Sequence, residues 1–389
     1  MLNRLIKKKK LLILGINSGT SIDSLDLALA EISRSSAYTV KFVNGADIPF
    51  PKTLKESLKT AADNRNVSLE EIMHLDNKLG CFIGKQAKKF VDSFYKSNKR
   101  KIDLIASHGQ TIRHLPDKKK SATCQIGSPA CIAQETKLPV IADFRQADIA
   151  LGNEGAPITT GAVAKLFSDS KQSHLILNVG GMANYFYLPA KSVKSEIIAL
   201  DIGPGNILSD LLAQTLFGKK SDRNGDIASK GTISKRLLTL LSADSFFESK
   251  QESTGRERFG KSTIEKILSF QKQFELSAED LFTTAIELTC SEISKQLKKL
   301  TKKDKKIKKL YLTGGGRKNI FLVKQLQIKL PELQICSIDE LGIPADYLEA
   351  VSYGVLAEHT LRAKPIHKAK DKNGNTPLLG MIHLPPQKK

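Results

Sequence analysis

"LLILGINSGTSIDSLDLALAEI", Leu11 to Ile32, decides how the rest of the chain is read. Two apolar runs flank a short turn crowded with Gly19, Thr20, Ser21, Asp23 and Ser24. Runs rich in Leu and Ile, bounded by such a turn, read as the two strands of a hairpin. An ordinary hairpin turn needs little more than one glycine. This turn adds hydroxyls, and its glycine lets backbone N–H groups come close to a phosphate.

Working outward, "YTVKFVNGADIPF" continues the meander as a third strand. Helical patterns follow from about Thr53 and from Ser68 to Lys99, where Ile72, Leu75, Leu79, Phe82 and Ile83 recur at three-to-four spacing. "KIDLIASHGQ" then reads as a buried strand ending in polar residues, and "LPVIADFRQAD" does the same. Strands that deliver polar groups at their C-terminal ends, separated by helices, describe an α/β sheet with a site along its edge. A second cycle opens at "HLILNVGGMANYFYLP", whose Gly180-Gly181 turn lies about 165 residues after Gly15. The strand "EIIALDIGPGN" leads into the helical "ILSDLLAQTLFG". Helices are predicted over Lys261 to Lys272 and Ser277 to Leu300, before the strand "KKLYLTGGG" and a helix from Asn319. Two halves that each begin strand, glycine turn, strand predict duplicated lobes that face one another. The start "MLNRLIKKKK" reads as a basic tail, and the end from Lys364 as mostly irregular.

Composition narrows the class. At 389 residues the chain suggests two or three domains. Its 40% hydrophobic and 26% charged content is that of a soluble globular protein. No run approaches the ~18 apolar residues of a membrane span. The N-terminal apolar run is too short for a secretory signal core and has no small-residue cleavage site after it. Cys81, Cys124, Cys131, Cys290 and Cys336 form no C-x-x-C pair, which fits a reducing cytoplasm better than a disulfide scaffold or zinc site. The formal charge of +21 invites a nucleic-acid reading. The lysines, however, sit in short runs without interleaved aromatics, and no recognised binding module surrounds them. Solvated faces account for them, with non-specific polyanion affinity left open.

Three glycine turns follow strands: Gly19-Thr20-Ser21, Gly180-Gly181 and Gly314-Gly315-Gly316. In an internally duplicated chain they favour a nucleotide held between lobes, with three plain tight turns as the alternative. None matches the P-loop pattern. In "LDIGPGNILSDLL", Asp201 reads as the end of a buried strand, with Gly203, Pro204 and Gly205 turning the chain away and Asn206 capping the next helix. A carboxylate at that junction suits a general base, or is a capping aspartate without chemistry. "SHGQTIRH" carries His108 and His114 without the ligand cluster a metal needs, so substrate contact is the better expectation. In "DFRQAD", Arg145 stands between Asp143 and Asp148, suited to a carboxylate or phosphate, or equally to an ion pair. The absence of a G-x-S-x-G elbow argues against a serine hydrolase.

Taken together, "SGTSIDSLDLAL", "ASHGQTIRHLP", "QIGSPACIAQETKLPVIADFRQADIALGNEGAPI", "LNVGGMANYFYLP", "LDIGPGNILSDLL", "DRNGDIASKG", "STGRERFG", "TGGGRKN" and "EAVSYGVLAEHTL" resemble, in order, the anhydro-N-acetylmuramic acid kinases of the sugar-kinase and actin superfamily. They reach from about Gly15 to Ala357, with an echo at "GNTPLLG". The resemblance implies an α/β protein of two lobes, a duplicated actin-like/ribonuclease H-like fold with an inter-lobe cleft. Residues 1–165 plus 346–389 would form the lobe with the first phosphate hairpin and the sugar contacts, and 166–345 the nucleotide-binding lobe. It implies ATP and Mg²⁺ as cofactors, hydrolytic opening of the 1,6-anhydro ring, phosphorylation of O6 and a place in peptidoglycan sugar recycling. It also implies a cytoplasmic homodimer working on small molecules, with neither membrane nor specific nucleic acid as a partner.

By the same resemblance, Gly19, Thr20, Ser21, Ile22, Asp23, Ser24, Leu25 and Asp26 would meet the ATP phosphates. Gly180, Gly181, Gly314, Gly315 and Gly316 would flank the nucleotide, and Asp201 would be the catalytic base. His108, Gln110, Thr111, Arg145 and Glu349 would contact the sugar, Arg145 through its lactyl carboxylate. Metal ligands stay unassigned. The chain departs from the family pattern at Ser24, where glycine is usual, at Asn17, where methionine is usual, and at Asn153-Glu154, where Gly-Gln is common. Ser24 either obstructs backbone approach to phosphate or donates a hydroxyl bond. These departures keep two alternatives open: a same-fold kinase for another sugar, and a catalytically weakened regulatory homologue.

Overall fold

The computed structural model describes residues 1–19, 21–64, 66–116, 120–193, 195–247, 258–366, 374 and 376–386. The chain divides into two units, Met1–Leu166 with Gly342–Lys389, and Phe167–Leu341. In the first unit, α1 (Leu2–Lys7) precedes β1 (Lys10–Ser18), β2 (Ser24–Arg34) and β3 (Tyr38–Pro49). Helices α2 (Lys52–Asp63) and α3 (Leu69–Asn98) lead to β4 (Leu104–Leu115) and β5 (Ala122–Ile126). Then come α4 (Pro129–Thr136), β6 (Val140–Ala142), α5 (Gln146–Ala150) and α6 (Thr160–Phe167). The second unit holds β7 (Ser173–Val179), β8 (Met182–Leu188), β9 (Ile198–Pro204) and α7 (Ile207–Phe217). It continues with α8 (Lys235–Ser242), α9 (Lys261–Phe274), α10 (Ala278–Lys303), β10 (Ile307–Thr313), α11 (Ile320–Lys329) and β11 (Gln334–Ser337). The chain returns to the first unit as α12 (Leu348–Leu361) and β12 (Met381–His383).

Each unit has one sheet. The first runs β12-β6-β4-β1-β2-β3, with β5 paired to β4, and the second runs β11-β10-β7-β8-β9. In both, a three-strand antiparallel meander is extended by parallel strands on the side of its first member: β1 beside β4 and β4 beside β6, β7 beside β10 and β10 beside β11. The shared order and strand senses make the two halves duplicates of one ribonuclease H-like α/β unit.

Strand β1 shows why the sequence folds this way. Its continuous apolar run is what a strand buried on both faces requires. Leu12, Leu14 and Ile16 enter a core with Leu54, Leu58, Leu79 and Ile83 of α2 and α3. Leu11 and Ile13 enter another with Tyr353, Val355 and Leu356 of α12. Helix α3 starts at a capping box, in which the Ser68 hydroxyl accepts from the Glu71 amide and the Glu71 carboxylate accepts from the Ser68 amide.

Gly15 sets the distance between β1 and α12. A Cβ built there would lie 1.8 Å from the Ala350 carbonyl oxygen. Only a residue without a side chain lets the helix backbone approach so closely. Gly15→Ala is therefore expected to destabilise the first unit by roughly 1–3 kcal/mol, read as a lower denaturant midpoint with an unchanged slope.

Several local expectations need correction. The basic tail contains a helical turn, α1, because Leu5 is buried against the α12 core. Strand β4 continues beyond Gln110, because residues Thr111 to Leu115 pair antiparallel with β5. The C-terminal region is mostly irregular among its described residues, with one short strand, β12, that covers the edge of β6. Asp201 does not end its strand: β9 continues to Pro204, with Gly203 at φ +143° still paired to Ala183. Asn206 does not cap α7 through its side chain; its amide donates to the Val179 carbonyl at 3.2 Å instead.

Candidate active site

The first glycine turn joins β1 to β2. The Ile22 amide donates to the Gly19 carbonyl at 3.0 Å, closing the turn. Ile22 holds φ at +54° with its side chain buried at 3% exposure. A β-branched residue in left-handed backbone is strained, and the surrounding core holds it there. Leu25 is also a core side chain, so these two residues could meet a nucleotide only through their backbone. Ser21 is exposed, Asp23 pairs with Lys55 at 2.9 Å, and Thr20 lies outside the described residues. Ser24 turns its hydroxyl to Asp26, which places it as a donor to that carboxylate.

Strand register adds what linear sequence hides. Asn17 lies opposite Asp26, and Asp26 opposite Asp47, so a polar row crosses β1, β2 and β3. Burial, then the neighbouring Asp47, Glu349 and Asp346, push the Asp26 carboxyl up to about 7, against the pull of Ser24. Glu349 reaches this row from the first turn of α12, brought in by the Gly15 approach. Its Oε2 accepts from Asn17 Nδ2 at 2.7 Å. Protein atoms surround Glu349 densely, yet the residue remains open to solvent. Desolvation pushes its carboxyl up, while Asn17 and the Arg145 guanidinium pull it down. Because water reaches the group, the desolvation push acts at less than full strength.

Arg145 gathers the remaining groups of the first unit. Its Nε donates to His108 Nε2 at 3.0 Å and its Nη1 to the Gly155 carbonyl at 2.8 Å. The His108 ring stacks on Tyr353, with centroids 4.6 Å apart. Burial and then the Arg145 charge hold His108 well below the usual histidine range, so it is neutral and accepts from Arg145. Its Nδ1 is buried without an aligned partner; the Gly109 backbone lies near enough to affect titration only. The same two causes lower His114 to about 4. Asp148 closes the adjoining loop, accepting from the Gly155 amide at 2.8 Å and from Asn153 Nδ2 at 3.1 Å. Asn153 thus braces the loop that holds Arg145.

Gln110 and Thr111 are placed differently. Gln110 is fully buried; its Oε1 accepts from the Ser18 hydroxyl at 2.5 Å, and its Nε2 donates to the Thr111 carbonyl at 3.1 Å. That side chain ties β4 to β1. The Thr111 hydroxyl accepts from Gln125 at 3.2 Å.

In the second unit, Thr313, Asn178, Asn184 and Asp201 face one another in register across β10, β7, β8 and β9. Directly opposed residues share a sheet face, so Asn184 stands beside Asp201 and Asn178 one strand farther along the same row, and all three are half-buried. Sequence reasoning missed them. The available signal is that Asn17 and Asn178 each stand two residues before the glycine of their turn. The Gly180 and Gly181 carbonyls accept from the amides of Gly205, Asn206 and Ile207, and Gly180 donates to Met182. The hairpin is thereby braced against the start of α7.

The triple glycine sits at the end of β10, beside this hairpin. A Cβ at Gly314 would lie 2.3 Å from Asn178 Oδ1, and one at Gly316 would lie 2.4 Å from Val179 Cγ1. A Cβ at Gly315 would meet nothing. Two of these glycines serve packing, and the third offers open backbone. Farther along the same unit, a depression of about 340 Å³ is lined by Gly231, Thr232, Ile233, Thr283, Glu287, Phe321 and Gln325. Glu287 is anchored there by Lys329 at 2.6 Å and Ser291 at 2.7 Å.

Two units with one shared strand order, each carrying a glycine turn after its first strand, define the class of internally duplicated α/β proteins. A family model described as anhydro-N-acetylmuramic acid kinase matches residues 11–383. The chain belongs to the anhydro-N-acetylmuramic acid kinase family. An anhydro-N-acetylmuramic acid kinase of Bacillus cereus is 34% identical over 384 residues, covering 96% of this chain and 99% of that one. The namesake from Caldanaerobacter subterraneus subsp. tengcongensis is 31% identical, covering 92% and 93%. The one from Clostridioides difficile (strain 630) is 35% identical, covering 89% and 91%. The protein is accordingly a sugar kinase that uses ATP. Among the described residues, no helix is long and apolar enough to cross a membrane.

Proposed function

We propose that this kinase opens the 1,6-anhydro ring of anhydro-N-acetylmuramic acid with water and phosphorylates O6. The products are N-acetylmuramic acid 6-phosphate and ADP, and the reaction serves recycling of peptidoglycan sugars. The family match over residues 11–383 carries this reading. The polar row at Asp201 and the group around Arg145 support it.

Asp201 takes a proton from the water as its oxygen bonds to the anomeric carbon. The C1–O6 bond breaks, O6 takes the γ-phosphoryl group, and the bond to the β-phosphate oxygen breaks. Asn184, opposite Asp201 in register, is placed to orient the water or the carboxylate. Arg145 spends its Nε and Nη1 on His108 and Gly155 and also bonds the Tyr353 side chain, and its charge suits the lactyl carboxylate. Glu349 stands near the sugar. The turn from Gly19 to Ser24, with Asp26 beyond it, and the glycines at 180–181 and 314–316 serve the phosphates. Among the described residues, no three His, Cys, Asp or Glu side chains are grouped as a metal site. In this reading Mg²⁺ enters with ATP as part of the substrate.

The 340 Å³ depression takes the nucleoside, its base against Phe321 and Ile233. Phe321→Ala is expected to raise KM for ATP by roughly three- to tenfold and to leave KM for the sugar unchanged. Initial rates with each substrate varied in turn check this. The overall reading is tested with purified protein, ATP, Mg²⁺ and the anhydro sugar, with products weighed by mass spectrometry. A product heavier by one phosphoryl group (HPO3) and one water is expected. Addition of phosphate alone would show ordinary kinase chemistry and exclude the ring-opening step.

A further inference from the structure

We propose that Asn17 is a positioning residue that keeps the Glu349 carboxylate ionised and aimed, through the amide hydrogen bond at 2.7 Å. This rests on the reading above that Glu349 works at the sugar.

The argument begins with the duplication. Asn17 stands to Gly19 as Asn178 stands to Gly180, and each asparagine begins a polar row across its meander. In the second unit the row ends at Asp201. In the first it passes through Asp26 to Asp47, and the close approach at Gly15 adds Glu349 from α12. The Asn17 side chain is 3% exposed, so its amide needs protein partners. An N–H donor favours an ionised oxygen over a protonated one, which is the weaker acceptor.

The groups facing Glu349 divide by sign. Arg145 favours its charge. Asp26, itself pushed up by Asp47 and Asp346, couples to Glu349, and Tyr353 of α12 feels both Arg145 and Glu349. Among these acids, a shared proton has its natural place on Asp26, whose pKa reaches about 7. Desolvation raises the Glu349 carboxyl, and the Asn17 amide and the Arg145 guanidinium oppose that rise. Asn17 therefore decides which carboxyl carries the proton, and so the pH at which Glu349 is in its working form.

The test is the pH dependence of kcat/KM for the full chain, its Asn17→Leu variant and its Glu349→Gln variant. Removing the donor is expected to shift the acidic limb upward by about one pH unit. The alkaline plateau should stay within about threefold of the parent value, and KM for ATP should not change. A uniform loss at every pH, with the limb unmoved, would show a merely structural role and overturn the proposal. A Glu349→Gln variant with parental rates would instead remove the reading that Glu349 acts at the sugar. The pair is also read without turnover, by carboxyl ¹³C NMR of Glu-labelled protein, with the Glu349 resonance identified from the Glu349→Gln variant. Its titration midpoint should rise by about one unit in Asn17→Leu, and an unmoved midpoint overturns the proposal. If Asn17→Leu does not fold, Asn17→Ser, whose hydroxyl is too short to span the gap, is read by the same NMR criterion.

Discussion

Replacing Asp201 with Asn is expected to lower kcat by about two to four orders of magnitude while leaving ATP affinity within a few-fold. The substitution is nearly isosteric, and the strand pairing to Asn184 uses backbone groups, so β9 keeps its register. Asp201 is half-buried, so an amide of the same size is accommodated there. On the proposed mechanism what is lost is basicity, because an amide cannot take a proton from the attacking water. On the proposed reading the phosphates meet glycines of other turns, so ATP affinity is expected to survive loss of that carboxylate. ADP release measures the first quantity, and calorimetric titration with a non-hydrolysable ATP analogue measures the second. Turnover comparable to the parent would dismiss Asp201 as the base, whereas loss of both properties would point to damage in the sheet.

The second large effect concerns stability. Glu358 on α12 has no solvent exposure and accepts from Arg34 Nε at 2.6 Å and Arg34 Nη2 at 2.8 Å. Arg362 donates to the same carboxylate, and through its other nitrogens to the Ile6 and Lys8 carbonyls. One buried carboxylate thus ties α1, β2 and the last turn of α12 together. Glu358→Gln would leave two guanidinium groups facing a neutral amide, and breaking a buried pair from one side costs about 3–5 kcal/mol. The first unit's melting transition should fall by on the order of 10 °C, as calorimetry would show.

The pH dependence of that stability has a definite sign. Burial alone would raise the Glu358 pKa, but the Arg34 hydrogen bonds and charge, with Arg362 and His359, hold it below the usual range. The native state therefore binds this proton less readily than the unfolded chain. The stabilisation is present above the unfolded value of roughly 4.3 and is lost as pH falls through the lower folded value. A Glu358→Gln protein should show a flatter loss of stability in acid below about pH 4, and an unchanged acid profile would remove the carboxylate from this role.

Local chemistry is legible in the chain to a definite depth. The alternating apolar runs, the glycine turns and the helical periods identify both meanders and most helices, because those signals act over a few residues. The edge strand β12 is not legible: a three-residue strand has no periodicity, and its existence depends on β6 being there to pair with it. Likewise Gln110 reads as a polar strand end available to substrate, and only the neighbouring Ser18 shows it to be a buried tie.

The amino-acid sequence by itself determined the class of protein and its duplicated α/β halves, and it singled out Asp201, Arg145 and the glycine turns as candidates. Those follow from motifs whose order and local chemistry survive without knowledge of distant contacts. The tertiary structure alone decided which groups share a site. Asn17 and Glu349 are separated by 332 positions, and the Asn178-Asn184-Asp201 row exists only through strand register. The physical reason is that hydrogen bonds and charge coupling act over a few ångströms of space. Packing at Gly15 and pairing across the sheets, not spacing along the chain, set those distances.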